Sequence, residues 1–360
     1  MNVREQLGRH EPSMIAILKR LFLTAVGLAR HMVYQLYGLA SHVMSFTRRR
    51  SSYVRRRWPG ALDLEGATRI AVFVHFDRQG IVHDFVLHYL AEIARAGFTT
   101  VFVSNAPRLD RESIDRISPL CGAILQRANV GMDFGAYKDG IGTLPRLDRL
   151  EALLLANDSV YGPFHDLGDV IGRMNLAEAE VWGITDSWER RFHLQSYFLL
   201  FGRRALNHEA FRQFWNGVRY VQAKSWVIGH YEIGLTQHLV RGGLRCRALF
   251  PYRAAATTML ATLRRQAAEE AFVPSERRQD FLAALVKAVD YGIPMNSSHF
   301  FWDHLIVKMG CPFLKRTLLR ENPARIPGLV YWQEVIQSAT KYDTDLIARH
   351  LELTLRHRAV

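Results

Sequence analysis

The chain has 360 residues, 49% of them hydrophobic and 22% charged. That is enough apolar content to bury a full core, and too little charge for a disordered chain. The formal net charge of +13 gathers at one end, since residues 1–60 hold eleven Lys/Arg against two Glu. The remaining body is close to neutral, which argues against a nucleic-acid-binding core.

Residues 14–45 lack proline and read as a helix. At about 100° per residue, Met14, Leu18, Leu21, Ala25, Leu28 and Met32 share one face. Lys19 and Arg30 share the other, as do Arg20 and His31. No uncharged run reaches the roughly 20 residues that span a bilayer, and no small-residue cleavage site marks a secretory signal. The stretch 47–57 then carries six arginines in eleven residues. A cationic amphipathic helix followed by an arginine cluster suits an anionic membrane surface. Docking on the chain's own core is the alternative. Residues 1–60 thus form a basic, membrane-associating segment.

From about Ala67 the pattern alternates. Apolar runs at 69–76, 99–105, 121–127 and 151–157 read as strands. Helical periodicity fills 81–95, 110–118 and 133–143. Further on, 180–187 and 193–201 read as extended, 208–218 and 231–240 as helices, and 245–251 as a strand. The stretch 253–292 is helical with a break at Pro274, and 293–328 is rich in aromatics and prolines. The alternation predicts an α/β domain over 67–252, with a mainly parallel sheet flanked by helices, and a helical C-terminal region over 253–360.

Ligands of such sheets bind beyond the carboxyl ends of the strands. That singles out His75, Phe76 and Asp77; Ser104 and Asn105; Asn129; and Asn157, Asp158 and Ser159. No G-x-G-x-x-G, P-loop, H-E-x-x-H or G-x-S-x-G motif occurs, which weighs against the corresponding dinucleotide, nucleotide-triphosphate, zinc-protease and serine-hydrolase readings. Cys121, Cys246 and Cys311 are too scattered for a disulfide framework or a C-x-x-C metal site, as suits a reducing cytosol.

Four stretches, in order, resemble the rhamnan synthesis protein F family. They are HFDRQGIVHDFVLHYL (75–90); RANVGMDFGAYKDG (127–140) running into LLLANDSVYGPF (153–164); WGITDS (182–187) with HLQSYFLLF (193–201); and NSSHFFWDHLI (296–306) with PFLKRTLLRENP (312–323). The last departs from the family pattern at Ser297, where a proline is expected.

The resemblance implies a GT-A-like, Rossmann-type glycosyltransferase of cell-surface polysaccharide such as rhamnan or O-antigen. The expected donor is a nucleotide sugar, dTDP-rhamnose above all, and the acceptor is lipid-linked or a polysaccharide. The expected place is the cytoplasmic face of the membrane. In place of a D-x-D motif the chain has Asn157-Asp158-Ser159, so Asp158 is the expected ligand of Mg²⁺ or Mn²⁺. Arg127, Asp133 and Lys138 are further donor-site candidates, with Gly131 and Gly135 allowing close backbone approach. Glu232 is the first candidate for the base of an inverting displacement and Asp186 the second. His193, Gln195 and Ser196 are expected to line the acceptor or sugar pocket. Each candidate also has a plain structural alternative: a helix cap, a turn residue or a solvated face. A transferase of another hexose and a non-catalytic assembly protein remain open.

Overall fold

The computed structural model describes residues 14–47, 52–268 and 276–356. Arg48, Arg49, Arg50 and the expected break at Pro274 lie outside the described residues. So do the side chains of Met14, Leu18, Lys19, Arg20, Leu21, Ala25 and His31.

Eleven strands are described: β1 Val54–Pro59, β2 Arg69–His75, β3 Thr99–Ser104, β4 Cys121–Arg127, β5 Ala152–Asn157, β6 Val160–Tyr161, β7 Val181–Ser187, β8 His193–Leu194, β9 Phe198–Gly202, β10 Cys246–Phe250 and β11 Leu314–Lys315. The main sheet runs β1-β4-β3-β2-β5-β9-β7-β10, with β8 on β7. Strands β4, β3, β2 and β5 are mutually parallel, as are β7 and β10. Strand β9 runs antiparallel between β5 and β7, and β1 is antiparallel to β4. A separate antiparallel pair joins β11 to β6. The result is the mixed α/β architecture, with a mostly parallel central sheet, that the strand–helix alternation predicts.

Alternate residues of the central strands feed two cores. Ala71 and Phe73 enter one, with helix Asp84–Arg95 and the C-terminal helices. Ile70, Val72 and Val74 enter the other, with helices Met132–Ile141, Glu209–Gly217 and Ile233–Arg241. Each fully buried Val, Ile or Phe contributes roughly 1.5–3 kcal/mol. A strand buried on both faces therefore reads in sequence as an unbroken apolar run.

The structure departs from the sequence reading at two places. Val54–Pro59, read within the basic segment, forms edge strand β1, whose arginines Arg55, Arg56 and Arg57 stay exposed. An edge strand tolerates such a charge run because its outward side chains remain in water. The stretch 193–201 is two short strands rather than one, β8 and β9, both antiparallel to β7 and separated by the break at Gln195–Tyr197.

The N-terminal helix, Met14–Thr47, meets the body near its end. There His42 stacks on Trp226 at 4.6 Å, and Ser41 Oγ accepts the Gln222 amide at 2.9 Å. Upstream, Leu28 and Met32 are each 62% exposed, and Leu36 is 65% exposed. Among the described residues no helix is long and apolar enough to cross a membrane.

Candidate active site

The chain lays down β2, β3 and β4 in one direction, then crosses to the other side of β2 for β5. Loops from neighbouring parallel strands diverge at such a reversal and leave a crevice at the strands' carboxyl ends. Asp158 sits there, one residue past β5. Its Oδ2 accepts the Phe76 amide at 3.3 Å, so the ends of β2 and β5 are tied together. The Phe76 ring remains 39% exposed at this edge. Asn157 turns back on itself, its Oδ1 accepting from Ser159 N–H (3.1 Å) and Ser159 Oγ–H (2.6 Å). Its amide Nδ2 donates to Asp133 Oδ2 at 3.3 Å.

Asp133 opens helix Met132–Ile141. Loss of solvent raises its pKa to about 6, and the nearby charges of Asp158 and Glu232 push the same way. Glu232 closes a π-helical turn, Ile228–Glu232, directly before helix Ile233–Arg241. Turns of this kind often mark functional positions. Ser196, in the β8–β9 turn, holds Glu232 Oε1 through its amide (3.1 Å) and its hydroxyl (2.9 Å). Asp133, Asp158, Glu232 and Ser196 therefore meet at one edge of the sheet, although they come from four separate segments.

Two cations join them that carry no assigned role in the sequence reading. Strand β11 pairs Lys315 with Val160 of β6, and the Arg316 amide donates to Ser159 carbonyl at 3.0 Å. This brings the C-terminal segment against the chain just beyond the end of β5. Arg316 Nη1 lies 2.9 Å from Asp158 Oδ2. The Lys315 ammonium lies 4.0 Å from the Tyr197 ring centroid. Desolvation lowers the Lys315 pKa to about 8, while Glu232 and Asp133 oppose the shift. The Lys-Arg pair lies inside one of the family-like stretches, but only the fold shows what it faces.

Several sequence candidates are occupied as struts. Arg127 is buried: its Nε donates to Asp139 Oδ2 at 2.7 Å, Nη2 to the Val130 carbonyl at 2.7 Å, and Nη1 to Asn105 Oδ1. A guanidinium held at three points by its own chain is not free for a phosphate. Lys138 donates to the Val218 and Asn216 carbonyls, closing the end of helix Glu209–Gly217. Gly131 and Gly135 admit the chain itself, because a Cβ on Gly131 would stand 2.9 Å from Tyr220 Cα, and one on Gly135 2.6 Å from the Val130 carbonyl.

His75 is buried against Ser104, Nδ1 to Oγ 3.2 Å, and desolvation lowers its pKa. One oxygen of Asp77 accepts the Gln79, Gly80 and Ile81 amides. Burial alone would raise Asp77, but His83 and those turn amides outweigh it and hold the carboxyl well below its usual range. That is a turn former. Asp186 accepts the Tyr252 amide and, at 3.2 Å, Trp188 Nε1, and so anchors helix Tyr252–Ala268. Gln195 joins Thr185 (2.6 Å) to Asn296 (3.3 Å), and His193 Nδ1 lies 2.8 Å from the Arg191 carbonyl. Asn129 is exposed at the crevice side of β4, and its carbonyl accepts from Gln222.

The arrangement does not fit a divalent cation. Asp158 is already paired to Arg316, and Asp133 and Glu232 each have an oxygen engaged by Asn157 or Ser196. Among the described residues, no three His, Cys, Asp or Glu side chains stand where they can share an ion. A separate apolar cavity of about 530 Å³ lies among the C-terminal helices, lined by Met259, Leu285, Phe300 and Trp302 among others. It contains none of the clustered residues.

Residues 100–271 match the family described as rhamnan synthesis protein F. The virulence protein VirA of Vibrio anguillarum is 31% identical over 230 residues, covering 62% of this chain and 70% of that protein. An uncharacterized protein, y4gN, of Sinorhizobium fredii is 30% identical over 225 residues, 60% of this chain and 58% of that one. The chain belongs to the rhamnan synthesis protein F family. Among solved structures it is similar to the glycosyltransferase GlyE of Streptococcus pneumoniae, at 14% identity and TM-score 0.33. The match covers 58% of this chain and about half, 53%, of GlyE. It is also similar to a Pyrobaculum calidifontis mannosyltransferase solved with GDP-mannose and Mn²⁺, at 12% identity and TM-score 0.31, covering 62% and 65% of the two chains. At these scores the overlap is partial.

Proposed function

We propose that this protein is a GT-A-like polysaccharide glycosyltransferase that moves a sugar from a nucleoside-diphosphate donor to a lipid-linked or polysaccharide acceptor. The observation that carries the reading is the meeting of Asp133, Asp158, Glu232 and the Lys315-Arg316 pair at the β2/β5 reversal. The family description supports rhamnose from dTDP-rhamnose as the donor, and rhamnan or O-antigen as the product class.

The chemistry follows from which oxygens and protons are free. Ser196 holds one oxygen of Glu232, and the other has no hydrogen-bond partner among the described residues. Glu232 takes the proton of the acceptor hydroxyl while that oxygen attacks the anomeric carbon from the face opposite the diphosphate. The carbon–oxygen bond to the diphosphate breaks, with inversion. Asp133 hydrogen-bonds hydroxyls of the transferred sugar, and Phe76 offers a ring face to the nucleobase. Charge gathering on the leaving diphosphate needs donors already in place.

The exposed apolar side chains of the N-terminal helix support a location on a membrane surface, and the cytoplasmic face is part of the proposal. The test is a thermal-shift series of the full chain against dTDP-rhamnose, UDP-glucose, GDP-mannose and other activated sugars. A ligand of the native state raises the midpoint by mass action. A rise with dTDP-rhamnose supports the donor, and no rise with any activated sugar sinks the enzyme reading in favour of a non-catalytic assembly protein.

A further inference from the structure

We infer, on the donor-binding reading above, that Lys315 and Arg316 form an anion site that takes the donor's diphosphate without a divalent cation. A metal-dependent site would need carboxylate oxygens aimed at a common point. Here the strand-end carboxylate already carries an arginine, and the surplus donors belong to cations.

The backbone places the pair. Leu314 and Lys315 form a strand on β6, whose first residue lies three positions beyond the end of β5. The Arg316 amide is fixed to the Ser159 carbonyl, so both side chains are held at the edge where Asp158 and Glu232 stand. Each cation keeps donor capacity unused among the described residues. Among the described residues, the Lys315 ammonium has no carboxylate oxygen within ion-pair distance and rests only on the Tyr197 ring. Glu232 and Asp133 act on it from further away. Arg316 spends Nη1 on the carboxylate and carbonyl of Asp158, its Nη2 lies 3.5 Å from His350 Nε2 and its guanidinium lies over the Phe85 ring, yet its Nε is buried with no hydrogen-bond partner among the described residues.

A buried guanidinium N–H without an acceptor is costly to leave unmade, and a half-buried ammonium without a close counter-ion adds to that cost. Both costs are met by one ligand that brings several anionic oxygens to the same place. A diphosphate does this, and a guanidinium fork suits its geometry. Exposed Lys224, which acts electrostatically on Lys315 and Asp133, adds a third positive charge at the rim. The depressed amine of Lys315 agrees with a cation that lacks its partner.

The experiment is calorimetric titration of the full chain with dTDP, UDP and GDP, in EDTA and again in excess Mg²⁺. The expected result is binding of at least one of these within about twofold in the two buffers. Lys315→Gln and Arg316→Gln should each weaken it by about tenfold or more. Because Arg316→Gln also removes the partner of Asp158, Lys315→Arg serves as the control: it keeps the charge and should keep most of the affinity. Binding that vanishes in EDTA but survives Lys315→Gln overturns the inference and leaves the proposed activity standing. An absence of binding in both buffers, with the chain folded by circular dichroism, overturns both.

Discussion

Asp158 and Arg316 stand 158 positions apart in the chain, yet Asp158 Oδ2 and Arg316 Nη1 lie 2.9 Å apart at the end of β5. The pair joins the sheet to the C-terminal segment and sets the sign of the crevice. An acidic strand end that is already neutralised no longer repels an anion, so any attraction must come from the remaining cations.

Glu232 is the group on which turnover should depend most steeply. Glu232→Gln keeps the shape and both hydrogen bonds that Ser196 donates to Oε1 but removes the proton acceptor. The expected loss is about 10²–10⁴-fold in kcat, with nucleoside-diphosphate affinity unchanged. Ser196→Ala should cost about tenfold, since it loosens Glu232 without removing it. Steady-state rates with the donor from the thermal-shift series check both. A Glu232→Gln variant with full activity would return the base to an open question.

Arg127 and Asp139 should matter for folding rather than for the donor. Asp139 accepts Arg127 Nε at 2.7 Å, the Tyr53 amide at 3.2 Å and the Tyr220 hydroxyl. Asp139→Asn leaves a fully buried guanidinium without its counter-charge, and the expected destabilisation is about 3–5 kcal/mol. Urea denaturation should show this as a fall in midpoint at constant slope. A variant that kept its stability but lost nucleotide binding would move Arg127 back to the donor site.

These two pairs show what the sequence makes legible. The parallel strands were readable because burial on both faces makes each an unbroken apolar run, as in Leu153–Ala156. Strand-end placement of Asp158 followed from local pattern, whereas Glu232, expected near the start of a helix over 231–240, lies inside the helical run 224–241 at its π-turn. What local pattern cannot tell is whether a charged side chain meets water, a ligand or its own chain. Arg127 and Lys138 have the chemistry of phosphate binders, but Asp139 and the end of a later helix consume them. Lys315 and Arg316 look like an ordinary basic pair until β11 docks on β6. Edge strand β1 hid for a related reason, since an exposed strand need not be apolar.

Asp133 should give stability a pH dependence of unusual sign. Its folded pKa is about 6 against an ordinary 3.8, owing to desolvation and then to Asp158 and Glu232. Between those values the folded chain binds a proton that the unfolded chain has released. Stability from this group therefore falls as pH rises from about 4 to 6, and stays lower above. Lys315 and Lys224 face the same carboxyl and moderate the effect. Asp133→Asn removes the titration, so the variant should exceed the wild type by about 1–2 kcal/mol at pH 7 and lose that advantage near pH 4. The same variant should be impaired in turnover at pH 7 if the carboxylate contacts the sugar. Denaturation midpoints at the two pH values decide the first part, and rates decide the second.

The N-terminal helix gives the last test, because its exposed surface is hard to reconcile with bulk water. Leu36 (65% exposed), Val43 (58%) and Leu39 (51%) lie on it with few contacts to the body, and exposed Arg55, Arg56 and Arg57 follow in β1. Apolar insertion is insensitive to salt, whereas attraction of arginines to anionic headgroups, about 1 kcal/mol each near the surface, is screened. The two contributions can therefore be separated. The full chain should sediment with vesicles containing phosphatidylglycerol, and added salt should weaken the association only in part. Leu36→Glu with Leu39→Glu should lower it at every salt concentration, while Arg55→Gln with Arg56→Gln should lower it only at low salt. If the leucine variant bound vesicles as well as the wild type, the exposed face would have to be covered by something other than lipid, and the membrane placement would fall.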